Sequence, residues 1–204
     1  MNINDIVKKF ENRKRESIEN KKSYSVLLPL IDIEGDWHVL FEVRSKSLKT
    51  QPNEISLPGG KVEKHETFKE AAIRETHEEL NIDIDKIKVI GKLDYIVFPY
   101  DMTIYGYVGI LENIEFNKIN YNRLETDHIF TVPLSFFIEN PPLKYNVEYK
   151  MKLQDDFPYY LIQDGKRYKW RKRKESIYFY EYNDYVIWGI TATFIKNFID
   201  VISI

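Results

Sequence analysis

The chain has 204 residues, 43% of them hydrophobic, enough for a buried core and within the size of one domain. Its 30 Lys and Arg stand against 32 Asp and Glu, so a net charge of −2 gives neither a basic field for nucleic acid nor an acidic excess for disorder. Cysteine is absent, which excludes disulfides, thiolate chemistry and cysteine zinc sites and suits a reducing cytoplasm; no long apolar run or signal-like start predicts a membrane span or secretion.

Residues 3–20 place Ile3, Ile6, Val7, Phe10 and Ile18 at near-helical spacing, predicting an amphipathic helix packed on the domain, with Arg13, Lys14 and Arg15 on a solvated face. Ser23 to Ile33 reads as a strand buried on both sides through Val26, Leu27, Leu28 and Leu30. Glu34-Gly35-Asp36 turns it into a second strand, Trp37 to Val43. Arg44 and Lys49 follow, either surface cations at a strand end or groups that meet phosphates. Leu57-Pro58-Gly59-Gly60 then lets the backbone turn and approach a ligand closely.

The next helix is written explicitly. Thr67 and Glu70 form a capping box ahead of Phe68, Ala71 and Ala72, and Asn81 suits a left-handed C-cap. Glu75, Glu78 and Glu79, at i, i+3 and i+4, share one helical face, where like charges repel unless a cation sits among them. A solvated acidic face is the bland alternative, and the glycine loop and capped helix around the row argue against it. Arg74 can pin carboxylates with its planar fork, as a lysine would not. His65 and His77 flank the row; a histidine there could shuttle protons, but solvated histidines are the better reading.

Further strands are predicted over Ile84–Ile96, Thr103–Leu111, with Gly106 and Gly109 as bulge or close-approach points, and Thr126–Val132. Ser135 can cap a short helix through Ile138. Beyond Asn140-Pro141-Pro142, residues 143–185 read as strand and hairpin decoration: Pro158–Gln163 as a strand, Asp164-Gly165 as a hairpin turn, and Ser176–Tyr182 as an aromatic strand. Lys166–Lys174 carries seven cations interleaved with Tyr168 and Trp170. Single-stranded RNA could use such a run, but a solvated hairpin face suits a net acidic chain better. A helix over residues 187–202 ends the chain, with Trp188 as a core residue.

Gly60, Glu66, Arg74, Glu75, Glu78, Glu79 and Ile82 resemble the Nudix box, G-x5-E-x7-R-E-U-x-E-E-x-G-U, with U a bulky aliphatic residue. Thr76 stands where an aliphatic is usual and Asn81 where glycine is usual; neither change touches a carboxylate. Arg44-Ser45 through Lys49, Asn53 and Leu57-Pro58-Gly59-Gly60 is similar, without gaps, to a second signature found in the coenzyme A diphosphatase branch of that family. Lys49 replaces its usual Arg, Asn53 its Gly and Leu57 its Phe. The ending Ile187-Trp188-Gly189-Ile190-Thr191-Ala192 resembles that branch too.

The resemblance implies an α+β fold, the α/β/α Nudix sandwich with a mixed central sheet and a C-terminal helix, as a single domain over residues 1–204. It implies Mg²⁺ or Mn²⁺ held by Glu75, Glu78, Glu79 and Glu66, catalytic roles for Glu75, Glu79 and Arg74, and substrate contacts from Arg44, Lys49, Gly59 and Gly60. Glu125 is either a further carboxylate reaching the metal or a strand-edge charge. The implied reaction is hydrolysis of coenzyme A or acyl-coenzyme A to 3′,5′-ADP and 4′-phosphopantetheine or its acyl form. The alternatives are another nucleoside diphosphate-X such as ADP-ribose, NADH or a dinucleoside polyphosphate, and a non-catalytic nucleotide- or RNA-binding module. The expected partner is thus a small nucleotide, not a membrane and not nucleic acid, with a homodimer left open.

Overall fold

The computed structural model describes residues 2–11, 13, 22–98 and 102–203. A mixed eight-stranded sheet is its centre. β1 (Lys22–Ile33) runs parallel to β7 (Met102–Leu111) and antiparallel to β2 (Asp36–Arg44). Outward from this trio lie β3 (Ile55–Ser56) and β8 (Thr126–Pro133) on β2, β4 (Gly59–Lys61) on β1, and β5 (Ile87–Lys92) and β6 (Ile96–Phe98) on β7. Glu34 and Gly35 turn β1 into β2 with φ of 54° and 93°, the left-handed geometry of tight hairpins, and Asp32 Oδ1 accepts the Gly35 N–H at 2.8 Å.

Successive residues of β1 feed opposite cores, because side chains alternate across a sheet. Leu27 and Ile31 join Leu40, Ala72, Leu80 and Tyr107 beneath α2 (Phe68–Leu80). Leu28 and Leu30 join Val39, Phe41, Phe194, Ile195 and Phe198 beneath α4 (Gly189–Ile202). That is the expected helix–sheet–helix sandwich. Gly106 and Gly109 are close-approach points: the Phe194 ring lies where a Cβ on Gly106 would stand, and the Leu27 side chain comes within 3.0 Å of where one on Gly109 would be.

Several expectations are corrected. Helix α1 spans Ile3–Glu11 and buries none of its side chains, so it is not packed on the domain; Lys14, Arg15 and Ile18 lie outside the described residues. The single strand expected over Ile84–Ile96 is a 3₁₀ turn, then β5 with an irregularity between Val89 and Gly91, then β6. α3 (Leu134–Glu139) is capped by Pro133, two residues before Ser135, with no side-chain cap hydrogen bond. Pro158–Gln163 holds a 3₁₀ turn over Tyr159–Leu161, since no described strand offers its backbone a ladder. Asp164 and Gly165 do adopt positive φ, but lead into another 3₁₀ turn, not a hairpin strand.

A second, three-stranded antiparallel sheet contains β9 (Leu143–Tyr149), which the sequence reading passed over, β10 (Arg173–Tyr182) and β11 (Tyr185–Trp188). α4 therefore begins at Gly189, and Trp188 is no core residue: it is 43% exposed and stacks on Phe179. The basic run is tied down locally, Lys172 to Glu148 at 3.1 Å and Arg173 over the Tyr149 ring. Among the described residues, no helix is long and apolar enough to cross a membrane.

Candidate active site

Two short pieces of chain build the site, the glycine pair on β4 and the last two turns of α2. β4 pairs with β1, setting Gly59 against Val26 and Gly60 against Ser25, while Ser25 Oγ donates to the carbonyl of Phe68 at 2.6 Å. The capping box forms as expected, Glu70 N to Thr67 Oγ1 and Thr67 N to Glu70 Oε2, so the helix starts at a fixed residue and its phase is set. Asn81 ends it with φ 50° and ψ 39° and donates its side-chain amide to the carbonyl of Asn120. Thr76 is buried and donates to the carbonyl of Ala72, so the hydroxyl is satisfied where an aliphatic was expected.

Arg74 is the organiser. Its guanidinium donates two bonds to Glu66, Nε to Oε2 at 3.1 Å and Nη2 to Oε1 at 2.9 Å, and a third to the Lys61 carbonyl. From the other side, Nη1 reaches Glu75 Oε1 at 2.9 Å and Glu78 Oε2 at 3.0 Å. Hydrogen bonding to Arg74 holds the Glu66 carboxyl below its usual range. Glu66 thus sits at the site as the group that aims Arg74.

Glu75 lies directly over Gly60; a Cβ there would collide with its carboxyl group. Glu79 is 3% exposed, and its Oε2 accepts the Gly59 N–H at 2.9 Å. Behind it lies a residue the sequence reading missed, Glu42 on β2, 1% exposed, its two oxygens accepting from Ser56 Oγ at 2.9 Å and Thr126 Oγ1 at 3.1 Å. The available signal was a lone carboxylate inside the apolar run Val39-Leu40-Phe41-Glu42-Val43.

These carboxylates act on one another. Burial first, then the Glu42 charge, pushes Glu79 well above the ordinary range, with Gly59 pulling back and Glu75 and Glu125 adding to the rise. Burial pushes Glu42 up to about 6, against its two hydroxyl donors and Arg44. Glu75 is raised by burial in spite of Arg74, with Glu78 and Glu125 contributing. Glu125 is therefore part of the same electrostatic group, although its side chain is exposed.

Arg44 lies near Glu42, and its buried Nε has no hydrogen-bond partner among the described residues, which marks a donor in need of an acceptor. Lys49 is exposed in the 45–54 loop, and no described contact joins it to the carboxylates. Asn53, in the position of a usual glycine, has φ of 61°, a backbone that asparagine tolerates. His77 Nδ1 pairs with the Ile82 carbonyl at the helix exit, and His65 is exposed.

Among the described residues, no three carboxylates or imidazoles stand converged on one point as ready ligands. Arg74 occupies Glu75 and Glu78 instead, and Gly59 engages Glu79. The donor set nonetheless fits a hard divalent cation: its groups are all carboxylate oxygens, and one of them, Glu79, is buried against the opposing charge of Glu42.

A NUDIX domain model matches residues 21–129. The chain is similar to the mouse peroxisomal coenzyme A diphosphatase NUDT7, 34% identical over 120 residues, covering 58% of this chain and 50% of that one. It is 27% identical over 177 residues to Nudix hydrolase 22, chloroplastic, of Arabidopsis thaliana, covering 84% of this chain and 52% of that one. It is 28% identical over 180 residues to the uncharacterized Nudix hydrolase NudL of Photorhabdus laumondii, covering 88% of this chain and 84% of that one. The chain thus spans about half the length of the first two relatives and most of the third.

Proposed function

The chain belongs to the Nudix family, and on that premise we propose that it hydrolyses the diphosphate bond of coenzyme A or an acyl-coenzyme A, giving 3′,5′-ADP and 4′-phosphopantetheine or its acyl form. The observation that carries this is the acid row of α2 laid on the glycine pair, with Glu79 fastened to Gly59 and Glu75 over Gly60. The substrate assignment rests on the Arg44-Ser45 to Gly60 segment and the Ile187-Trp188-Gly189 ending, and is supported by the diphosphatase named among the relatives.

Glu75, Glu78 and Glu79 would hold Mg²⁺ or Mn²⁺, with Glu66 orienting them through Arg74. Bound there, the ion would neutralise diphosphate oxygens and make a water more acidic. The chain's own groups do the rest. Arg74 keeps Glu75 and Glu78 from splaying apart, and the Gly59 N–H fixes the direction of Glu79. Glu75 or Glu79 takes the proton from the attacking water. The Arg44 guanidinium, with its unpaired Nε, and Lys49 meet substrate phosphates. A cytoplasmic setting is part of the same proposal.

Purified protein incubated with coenzyme A and Mg²⁺ or Mn²⁺ should yield 3′,5′-ADP and phosphopantetheine on chromatography. A panel of ADP-ribose, NADH, diadenosine polyphosphates and dephospho-coenzyme A tests the choice of substrate. Preference for one of these moves the proposal to that nucleoside diphosphate-X. No cleavage of any, with tight oligonucleotide binding at physiological salt, would make the chain a binding module.

A further inference from the structure

Glu79 is held at two points, and both holds lead back to one buried carboxylate, Glu42. On the side-chain path, Glu79 Oε2 accepts the Gly59 N–H at 2.9 Å, and just upstream of Gly59 the Ser56 hydroxyl donates to Glu42 Oε1, also at 2.9 Å. On the backbone path, the Glu79 carbonyl accepts the Asn122 N–H at 2.8 Å, and the Asn122 carbonyl accepts the N–H groups of Glu125 and Thr126. Thr126 Oγ1 then donates to Glu42 Oε2 at 3.1 Å. The circuit closes: Glu42, Ser56, the glycine loop, Glu79, Asn122, Thr126 and Glu42 again. Residues 56–60 and 122–126, attached separately to the end of α2, are thereby joined to each other through one side chain of β2.

The same join places Glu125. Its carbonyl accepts the Ser45 N–H at 2.8 Å and its own N–H donates to Asn122, so its backbone is fixed on both sides while its side chain stands exposed beside the acid row. A buried carboxylate is a costly way to fill a core position, and the flanking residues of β2, Phe41 and Val43, fill theirs with apolar groups. What Glu42 adds is a pair of acceptors for two hydroxyls that come from different strands, β3 and β8. We propose that Glu42 is a positioning residue of the active site: by clamping Ser56 and Thr126 it sets both the Gly59 N–H that aims Glu79 and the segment that carries Glu125. The use of the clamp in catalysis rests on the diphosphate-hydrolase reading above, whereas the clamp itself rests on the hydrogen bonds.

Amide hydrogen exchange of the full chain, read by NMR without metal or substrate, tests the clamp. Glu42→Val removes both links. Glu42→Gln keeps them, its carbonyl oxygen accepting from one hydroxyl and its amide donating to the other. Measured against Ile195 at the centre of α4, which registers any change in global stability, the Gly59 and Asn122 amides should exchange about tenfold faster or more in Glu42→Val than in the parent. Glu42→Gln should return both towards the parent. Ser56→Ala and Thr126→Val each open one link and should speed Gly59 and Asn122 respectively, so the test stands even where Glu42→Val does not fold. Steady-state kinetics with coenzyme A and Mn²⁺ reads the consequence: kcat about tenfold or more lower in Glu42→Val with KM little changed, and largely recovered in Glu42→Gln. Gly59 and Asn122 amides that track Ile195 in every variant overturn the proposal. So does a parent-like kcat in a variant whose exchange has changed, or a Glu42→Gln as impaired as Glu42→Val. A parent that cleaves no diphosphate removes the hydrolase reading instead, and the exchange rates then decide the clamp by themselves.

Discussion

Glu79 Oε2 accepts the backbone N–H of Gly59 at 2.9 Å, so one hydrogen bond fastens the end of α2 to a glycine twenty residues earlier. The next glycine and the glutamate one helical turn earlier repeat the device from the other direction, with Gly60 leaving the space that the Glu75 carboxyl fills. Loop and helix therefore fix each other, and the acid row is held in place by backbone as well as by Arg74.

Glu79→Gln keeps the shape of the side chain and removes its charge. Turnover should fall by at least about a hundredfold, in line with the several kcal/mol that charge stabilisation at such a site supplies. Thermal denaturation should be no lower than in the parent, because a buried charge has been removed. Near-normal turnover contradicts the assignment.

Gly60→Ala tests the close approach without straining the backbone, since Gly60 has no positive φ. The added methyl meets the Glu75 carboxyl and displaces it. Turnover should drop about tenfold or more while the circular dichroism spectrum is unchanged, a small misplacement being costly in a reacting site. Equal activity would show that Glu75 is not needed where it stands.

Arg74→Lys keeps the charge and loses the fork that joins Glu66 to Glu75 and Glu78. A lysine ammonium cannot span these partners, and losing one charge-assisted hydrogen bond of about 1.5–3 kcal/mol corresponds to roughly tenfold or more in rate. Steady-state kinetics reads this as a lower kcat. An unchanged kcat would reduce Arg74 to a structural role.

Glu42 predicts how the metal-free protein responds to pH. Its carboxyl is raised from 4.5 to about 6 on folding, so the folded state favours the protonated form. Stability from this group is complete below about pH 4.5 and is lost as pH rises through about 6, amounting to on the order of 2 kcal/mol. Glu79 is shifted in the same direction. In EDTA, the melting temperature should therefore fall between about pH 5 and pH 7.5, and Glu42→Gln should flatten that slope. A parent slope of opposite sign, or one that Glu42→Gln leaves unaltered, contradicts the burial argument.

Helix α2 was legible from sequence because its signals are local: Thr67 caps through Glu70, Asn81 takes the left-handed turn, and Arg74 meets neighbours within the box. The sandwich was legible for a similar reason, since Leu27 and Leu28 are apolar on both faces of one strand. Glu42 was not, because its meaning depends on Ser56 and on Thr126, 84 residues away. β9 did carry the alternation of a half-polar strand, but it lay in a stretch read as decoration. Pro158–Gln163 shows the opposite failure: an aromatic and apolar run suggests a strand, yet a strand needs a partner ladder and this one has none among the described residues. The apolar stripe of α1 likewise fixed a helix but not its packing.

Calorimetric titration of Mn²⁺ or Mg²⁺ into the protein tests the central claim most directly, because it reads the acid row without requiring the right substrate. Saturable uptake is expected, lost in Glu79→Gln and weakened in Glu75→Gln. No uptake by the parent, or uptake that both variants retain, would contradict it.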